Sequence, residues 1–506
     1  MNPGTAPVRL YPRGFLLSPA AEPLLDDLGT FRTLPLPGYV LQVDELAEVS
    51  VAVHGDDWVA VVGKAWPLSS GDLPSDGDPA RHLLPRLLLG GAAAVESALY
   101  DVSGRYAVLA RTGGRVVAWN DAAATRSVFF DAARRRVSSH YDILRRGRTG
   151  TPDRLPFGAK VGVNLLLDLT SQPGIGALVA NHRLELGDGR QVRFHGNGAN
   201  PALELSVSER LELVEDLWTE QLDRLVALGV PLVMSMSGGL DSRAMLAMAR
   251  EHRAFFRSFT YTSASAVEGR PPRNRWEEVV GLDHELTQQM RELLPPDHHV
   301  IVRTPSAWAQ ANKEVLARNS THEHGRWLLP TYLSITPDPR SVHYRGNLFE
   351  IGRCYWGTAE AGEDPLATLC RVLRAHSPKV ALPDETVDAV VRERGAALGF
   401  DDLSEHYAVP DLAYWELRHA RWYAQVLNET DTAFDTFTPL NARRLLDVLL
   451  SFPVEQRGSA WAQHELIHRN HPSLLFFGIN DRADLYVRFA APAAPEGAGE
   501  PALARR

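Results

Sequence analysis

Apolar positions in the first 200 residues recur in short alternating runs separated by turn residues, the pattern of half-buried strands. Val51–Val53 and Trp58–Val62 flank His54-Gly55-Asp56-Asp57, a strand–turn–strand pattern. Tyr106–Ala110 and Val116–Asn120 flank Thr112-Gly113-Gly114, which predicts a hairpin. Ser127–Asp131 with Val137–His140 predicts another, and Gly187-Asp188-Gly189 separates Leu184–Leu186 from Gln191–Phe194. Helices are expected near Arg81–Leu89, weakened by Pro85, and over His140–Arg146. Polar, glycine-rich His195 to Asn200 reads as a linker closing a β-rich domain over 1–200.

Behind the linker the period changes. Ser206 or Ser208 caps a helix whose apolar positions run from Leu211 through Leu228. Pro231–Met236 is a short buried strand, followed by a glycine turn and a helix over Ser242–His252. Ala254–Tyr261 and Asp297–Val302 are further strands, and strands alternating with helices predict a parallel sheet. Asp384 to Gln463 reads as mainly helical. The fold class is therefore α/β, with a parallel-sheet domain over 201–489 and C-terminal helices. The Ala-, Pro-, Gly- and Glu-rich stretch 490–506 is expected to be a disordered tail.

Composition narrows the function classes. Only Cys354 and Cys370 are cysteines, which excludes a disulfide framework and suits a reducing, cytoplasmic setting. No run is apolar enough to span a membrane, and the start carries no secretory pattern. A net charge of −9 argues against nucleic acid as partner. Lys64, Lys160, Lys313 and Lys379 are the only lysines among 53 basic residues, so no lysine chemistry is available after Lys379.

The segment richest in chemistry is Ser235-Met236-Ser237-Gly238-Gly239-Leu240-Asp241-Ser242-Arg243, between a strand and a helix. Two glycines let the backbone approach an anion, and successive N–H groups can point at it. Ser235, Ser237 and Ser242 carry hydroxyls, and the helix N-terminus adds its positive end. Asp241 is a hard oxygen ligand suited to Mg2+ held against phosphates.

This string resembles the PP-loop of the ATP pyrophosphatase family; the Gly-Lys-Ser/Thr ending of a Walker loop is absent. Within that family the chain looks most like the asparagine synthetase group, in both halves. Asp101-Val102-Ser103-Gly104 onward, Trp119-Asn120-Asp121 through Phe130, Val137-Ser138-Ser139 and Asn181-His182-Arg183-Leu184 resemble, in order, segments of the group's N-terminal domain. Phe259-Thr260-Tyr261 resembles the strand lining its adenine pocket. Asp283, ahead of a helical run Glu285–Leu293 and His298-His299, resembles its next conserved stretch. Arg345-Gly346-Asn347-Leu348-Phe349-Glu350 lies where the group has Ser-Gly-x-Gly-Ala-Asp-Glu, and Arg421 to Arg443 resembles its late helical segment.

The resemblance implies an Ntn-hydrolase-like front domain and a PP-loop, adenine nucleotide α-hydrolase-like synthetase domain. It implies ATP and Mg2+, a small-molecule or peptide carboxylate substrate, and cleavage of ATP to AMP and pyrophosphate. The phosphate-binding set is Ser235, Ser237, Gly238, Gly239, Leu240, Asp241 and Ser242; Thr260 and Tyr261 line the adenine side. Asp241 is the metal ligand, and Glu350 and Asp241 are the catalytic carboxylates. A homodimer is left open.

Three departures shape the expected reaction. Glutamine-hydrolysing members use an N-terminal cysteine, whereas Asn2 stands there and no Cys, Ser or Thr precedes Thr5. No glutaminase activity is expected, as in the β-lactam synthetase branch. Phe349 replaces the aspartate of the acidic pair, so Glu350 stands alone as general base or as a partner of Arg345 or Arg353. The group's late lysine is absent; Arg457, Gln463, His464 or His468 stand near its place. The expected reaction is amide formation through an acyl-adenylate, with the amine drawn from a substrate or from the same molecule.

Two other readings compete: a sulfur- or nitrogen-inserting PP-loop enzyme with Cys354 as relay, and a degenerate synthetase serving as partner subunit. His322-Glu323-His324 and His298-His299 suggest metal, but His322 and His324 have no evident third ligand; His464-Glu465-Leu466-Ile467-His468 meets the zinc-protease pattern, but so short a string arises by chance in a chain with 18 histidines and lies where the group has its terminal helices. Arg270 to Arg275, around Pro271-Pro272, reads as an exposed loop.

Overall fold

The computed structural model describes residues 8–74, 77–146, 167–360, 362–377 and 383–485. Asn2, Thr5, Lys160, Lys379 and the 490–506 tail lie outside them. The chain is mixed α/β, with two six-stranded antiparallel sheets and a five-stranded parallel one.

The two antiparallel sheets come from the first 200 residues. One is ordered Gly176–Ala177, Phe129–Asp131, Arg136–Ser138, Phe15–Ser18, Tyr39–Asp44, Phe31–Leu36. The other runs Arg190–Arg193, His182–Glu185, Arg115–Asn120, Tyr106–Thr112, Asp57–Gly63, Val49–His54. All four predicted strand pairs are present. The Tyr106–Thr112 and Arg115–Asn120 hairpin turns through Gly113 and Gly114, at φ +55° and +79°, left-handed values that glycine adopts without a Cβ penalty.

Alternation sorts the strand side chains into two layers. Phe15, Leu17, Leu41, Val43, Trp58, Ala60, Leu109 and Val137 share one core between the sheets. Val59, Val61, Val108 and Trp119 face the opposite way, onto Leu83, Leu84 and Leu87 of the helix Pro79–Leu99. That helix is longer than expected. Asp78 caps it by accepting from the N–H groups of Ala80 and Arg81, and it continues past Pro85 to a kink at Gly91, φ +65°.

The helix Val207–Ala227 starts at Ser206, whose hydroxyl accepts from Glu209 N while the Glu209 carboxylate accepts from Ser206 N, a capping box. The parallel sheet follows, ordered Asp297–Val302, Phe256–Thr262, Leu232–Ser235, Val342–Tyr344, Asp435–Phe437. Its first strand in the sequence, Leu232–Ser235, is central. The chain adds two strands on one side of it, then crosses to the other. The gap between Leu232–Ser235 and Val342–Tyr344 is thus a topological switch point, where loops leave the carboxyl ends of adjacent strands in opposite directions and open a crevice.

The late region is not helical throughout. Asp435–Phe437 is an edge strand, and Tyr414–Tyr423 is a π-helix, whose wider turn a 3.6-residue period does not reveal. The predicted linker is not a loose tether. His195 meets Asp447 at 3.1 Å, and the Asn200 amide donates to Asp447 O at 3.0 Å. Buried charge joins the halves further. Arg105 pairs with Asp431, its Nη2 at 2.9 Å from Oδ2, and Lys64 Nζ lies 3.0 Å from Asp435 Oδ2. Arg193 grips Glu416 with two nitrogens, at 2.6 and 2.7 Å.

Candidate functional site

The switch-point crevice is bounded by two loops, one after each adjacent strand. The first is the Ser-Gly-Gly-Leu-Asp-Ser string. Its backbone turns at Ser237, whose Oγ accepts from Gly239 N at 3.2 Å and lies 3.0 Å from Ser242 Oγ. Gly239 is the N-cap residue of the helix Leu240–Met248, with no side chain capping its first turn. The N–H groups of that turn therefore remain available at the carboxyl end of the sheet. The helix begins two residues earlier than the sequence suggested and ends at Met248, before a 3₁₀ turn.

Glycine is required here by crowding. A Cβ at Gly238 would come 2.5 Å from Leu286 Cδ1, and one at Gly239 would lie 3.3 Å from Asn480 Oδ1. The loop is braced from behind. Buried Arg243 donates to Gly238 O at 3.1 Å, to Leu474 O at 2.9 Å and to Phe477 O at 3.1 Å, and Asn480 N donates to Gly238 O at 3.1 Å. Asp283 Oδ1 accepts from Gly238 N at 2.7 Å. Asp283 lies within the helix Arg275–Gln289 rather than ahead of a helical run, and residues 271–275 are exposed, as the sequence suggested.

The second loop follows Val342–Tyr344. Gly346 lies against the first: a Cβ there would meet Met245 Cγ at 2.5 Å and Asp241 O at 2.9 Å. Leu348 then adopts φ +85°, a left-handed value that costs a non-glycine residue energy. It brings the Glu350 carboxylate back to accept from Leu348 N at 2.8 Å. Phe349 points into the core, buried and 5.7 Å from the Trp218 ring. The position where the resemblance led one to expect an aspartate thus holds a core side chain, and Glu350 is the acid this loop carries.

Asp241 and Glu350 lie close enough for the charge of one to act on the carboxyl of the other. Burial raises the Asp241 carboxyl, against the Arg353 charge and a hydrogen bond from Gln463. Burial and then the Asp241 charge push Glu350 up to about 7, against its backbone donors and Arg353. Arg353 Nη1 stands 3.4 Å from Asp241 Oδ1; neither Arg345 nor Arg353 forms an ion pair with Glu350. Of the four late candidates, Arg457 is 2.6 Å from Asp411 Oδ1.

Residues missed in the sequence come from the π-helix. Tyr414 packs 5.2 Å from Tyr355 and 5.1 Å from Trp356, ring centre to ring centre. Burial, then the charge of Glu350, raises its hydroxyl pKa. Arg418 stacks its guanidinium 3.8 Å over Trp422. The only signal available was a dense aromatic and basic stretch, which reads equally well as core.

The remaining candidates are placed as follows. Thr260 is buried and its hydroxyl donates to Met236 O at 3.0 Å, so it shapes the loop from within. Tyr261 is half-buried, edge-on to Trp327 at 5.9 Å. Ser235 Oγ meets His343 Nε2 at 3.3 Å. Cys354 is half-buried and burial raises its thiol pKa, the opposite of an activated thiolate. His298 Nδ1 lies 2.8 Å from Ser258 Oγ, while His299 turns to Asp297. His464 and His468 sit on a helix packed against Leu240–Met248. No group of three or more His, Cys, Asp or Glu side chains placed to hold a metal occurs among the described residues. Nor is any helix among them long and apolar enough to cross a membrane.

No protein-family model matches this chain, and no curated protein matches it.

Proposed function

We propose that this protein is an ATP-dependent ligase of the asparagine-synthetase-like type, which activates a substrate carboxylate as its adenylate and forms an amide bond without hydrolysing glutamine. The observation that carries this reading is the placement of the Ser-Gly-Gly-Leu-Asp-Ser loop at the carboxyl end of the central parallel strand, with Glu350 brought beside Asp241 across the switch point. The layered front half and the parallel-sheet back half are compatible with an Ntn-type domain lacking its nucleophile and a PP-loop domain.

In this reading the triphosphate of ATP lies along Ser237 to Ser242, against the uncapped N–H groups and the two serine hydroxyls. The donor set fits Mg2+. Asp241 would hold it with phosphate oxygens completing the shell, and Phe349 offers nothing to it. Bound there, Mg2+ would offset phosphate charge. A carboxylate oxygen of the substrate attacks the α-phosphorus in line, the bond to pyrophosphate breaks, and the acyl-adenylate forms. An amine nitrogen then attacks the acyl carbon and AMP leaves. One proton must leave the amine, and a carboxyl pushed up to about 7 in Glu350 is matched to take it. Tyr414 is placed beside Glu350 to orient that exchange.

The test is pyrophosphate release from ATP and Mg2+, for wild type and Asp241→Ala, against amino acids, amino-carboxylates and short peptides. Equal pyrophosphate and AMP from wild type alone is the expected result. Release of ADP and phosphate instead, or no binding of ATP, would overturn the reading. Ammonia and glutamate produced from glutamine would overturn the assignment of the front half as structural.

A further inference from the structure

The strand Val49–His54 is an edge of its six-stranded sheet, paired on one side only, with Asp57–Gly63. The Gly63 N–H donates to Glu48 O at 2.9 Å, and bonded pairs alternate along an antiparallel ladder. In the register that sets Ser50 against Val61 and Ala52 against Val59, the N–H and C=O groups of Val49, Val51 and Val53 therefore point away from the sheet. Among the described residues no hydrogen bond reaches them.

Every other sheet edge among the described residues carries a guard. Phe31–Leu36 has Arg32 and Pro35, Arg190–Arg193 has an arginine at each end, and Asp297–Val302 has an acid and two histidines. Gly176–Ala177 is two residues long, as are both strands of the small sheet Trp66–Pro67 and Val102–Ser103. Asp435–Phe437 has three residues, all buried. Proline, charge and shortness are the devices that keep an edge from pairing with another chain. Val49-Ser50-Val51-Ala52-Val53 uses none of them, and its three valines favour pairing.

The strand is also held in place. Val49 and Val51 pack on the core between the two sheets, and Ala52 on the core beneath the helix Pro79–Leu99. Ser50 Oγ accepts from Ala80 N at 2.9 Å, which ties that face to the helix start. The faces are covered while the edge is open, and Val53 is 51% exposed.

We infer that this edge pairs antiparallel with the same strand of a second copy of the chain, across a two-fold axis at Val51. Such an axis sets Val51 opposite Val51, Val49 opposite Val53 and Ser50 opposite Ala52 of the second copy, so all three outward residues meet outward residues. Exposed Glu48, just before the strand, then stands opposite His54 of the second copy, an acceptor facing a donor, and no like charges oppose each other along the strand. An extended peptide from another protein would have to supply this match, whereas a second copy already carries it. The inference is independent of the ligase reading. A six-residue strand makes a small interface, so the pair exchanges in the micromolar range.

The experiment is sedimentation velocity of the full chain over a range of concentrations. The mass is expected to rise from 55.8 kDa toward twice that value. Val53→Pro removes an outward N–H and no bond of the sheet. It and Val53→Lys should each weaken the dimer at least tenfold, while circular dichroism and melting temperature stay native. Val51→Cys should oxidise to a covalent dimer, because the axis brings the two Cα atoms to about 5.5 Å, within disulfide reach. Thr33→Cys, on a guarded edge, should not. A monomer at every concentration, a dimer indifferent to both Val53 substitutions, or no cross-link from Val51→Cys overturns the inference. A synthetic peptide of residues 48–54 should dissociate the dimer. A chain that stays monomeric yet binds this peptide would overturn the second copy as occupant and give the edge to an extended peptide.

Discussion

The Asp283 carboxylate accepts the backbone N–H of Gly238 at 2.7 Å, across from a helix 45 residues further along the chain. A carboxylate on a loop amide is a charge-assisted bond, and it sets the peptide plane of the glycine turn before any ligand arrives. The donors at the start of Leu240–Met248 have no side-chain cap beside it. Removing the acceptor leaves a partly buried N–H without its partner, at a cost of about 1–3 kcal/mol. Asp283→Ala should therefore weaken ATP binding roughly tenfold or more, and Asp283→Asn, which keeps an acceptor, by less. Calorimetric titration with ATP measures both; equal affinity in Asp283→Ala would show that the loop is set without it.

Glu350 should make the reaction pH-dependent. With its carboxyl pushed up to about 7, the ionised base grows in as pH rises through that value, so the amide-forming rate should rise and level off above it. Glu350→Gln should lower the rate by about 10²–10⁴-fold and abolish the limb. Stability moves the other way. The folded state holds a proton on Glu350 that the unfolded chain, near 4.5, has released, so stability falls as pH rises from about 4.5 to about 7. Glu350→Gln should lack that part of the fall, on the order of 2 °C in Tm for a chain of this length. Identical melting profiles of the two proteins from pH 5 to pH 8 would contradict it.

Gly346 separates placement from chemistry. It removes no reactive group, yet a Cβ would lie 2.9 Å from Asp241 O and 2.5 Å from Met245 Cγ. Gly346→Ala should push the Glu350 loop off the helix start and lower kcat by about 10²-fold, as a displacement near 1 Å can. Far-ultraviolet circular dichroism should stay native. A fully active Gly346→Ala would mean that the two loops need not touch.

The buried pairing of Arg105 with Asp431 should matter to stability rather than to turnover. Both are almost fully buried, with Arg126 and Asp435 alongside, and they come from opposite halves of the chain. Arg105→Ala strands a buried carboxylate and should cost about 3–5 kcal/mol. Denaturant unfolding checks this, with loss of signal from both halves in one transition as the expected form. Two separate transitions would show that the halves are independently stable.

Much of the architecture was legible in local pattern. The hairpins announced themselves because a period of two and a glycine pair such as Gly113-Gly114 act within a few residues. The cap at Ser206, one of the two serines the sequence offered, and the strand–loop–helix around Ser237 to Ser242 are local for the same reason. Asp435–Phe437 was not legible, since three residues carry no period and the strand exists only by pairing with Val342–Tyr344. The π-helix escaped because its turn differs from the one sought. The extended length of Pro79–Leu99 escaped because packing onto the sheet outweighs the local cost of Pro85.

By itself the amino-acid sequence determined the chemistry on offer: a Ser-Gly-Gly-Leu-Asp-Ser string with Asp241, a lone acid at Glu350, no lysine after Lys379 and no thiol framework. Each depends only on which side chains exist and on neighbours close in the chain. Tertiary structure alone decided which of them meet. Strand order put Val342–Tyr344 beside Leu232–Ser235, and this set Glu350 next to Asp241, turned Phe349 into the core and tied Arg457 to Asp411. Proximity between residues some hundred positions apart is set by how sheets and helices pack, and no local pattern encodes it.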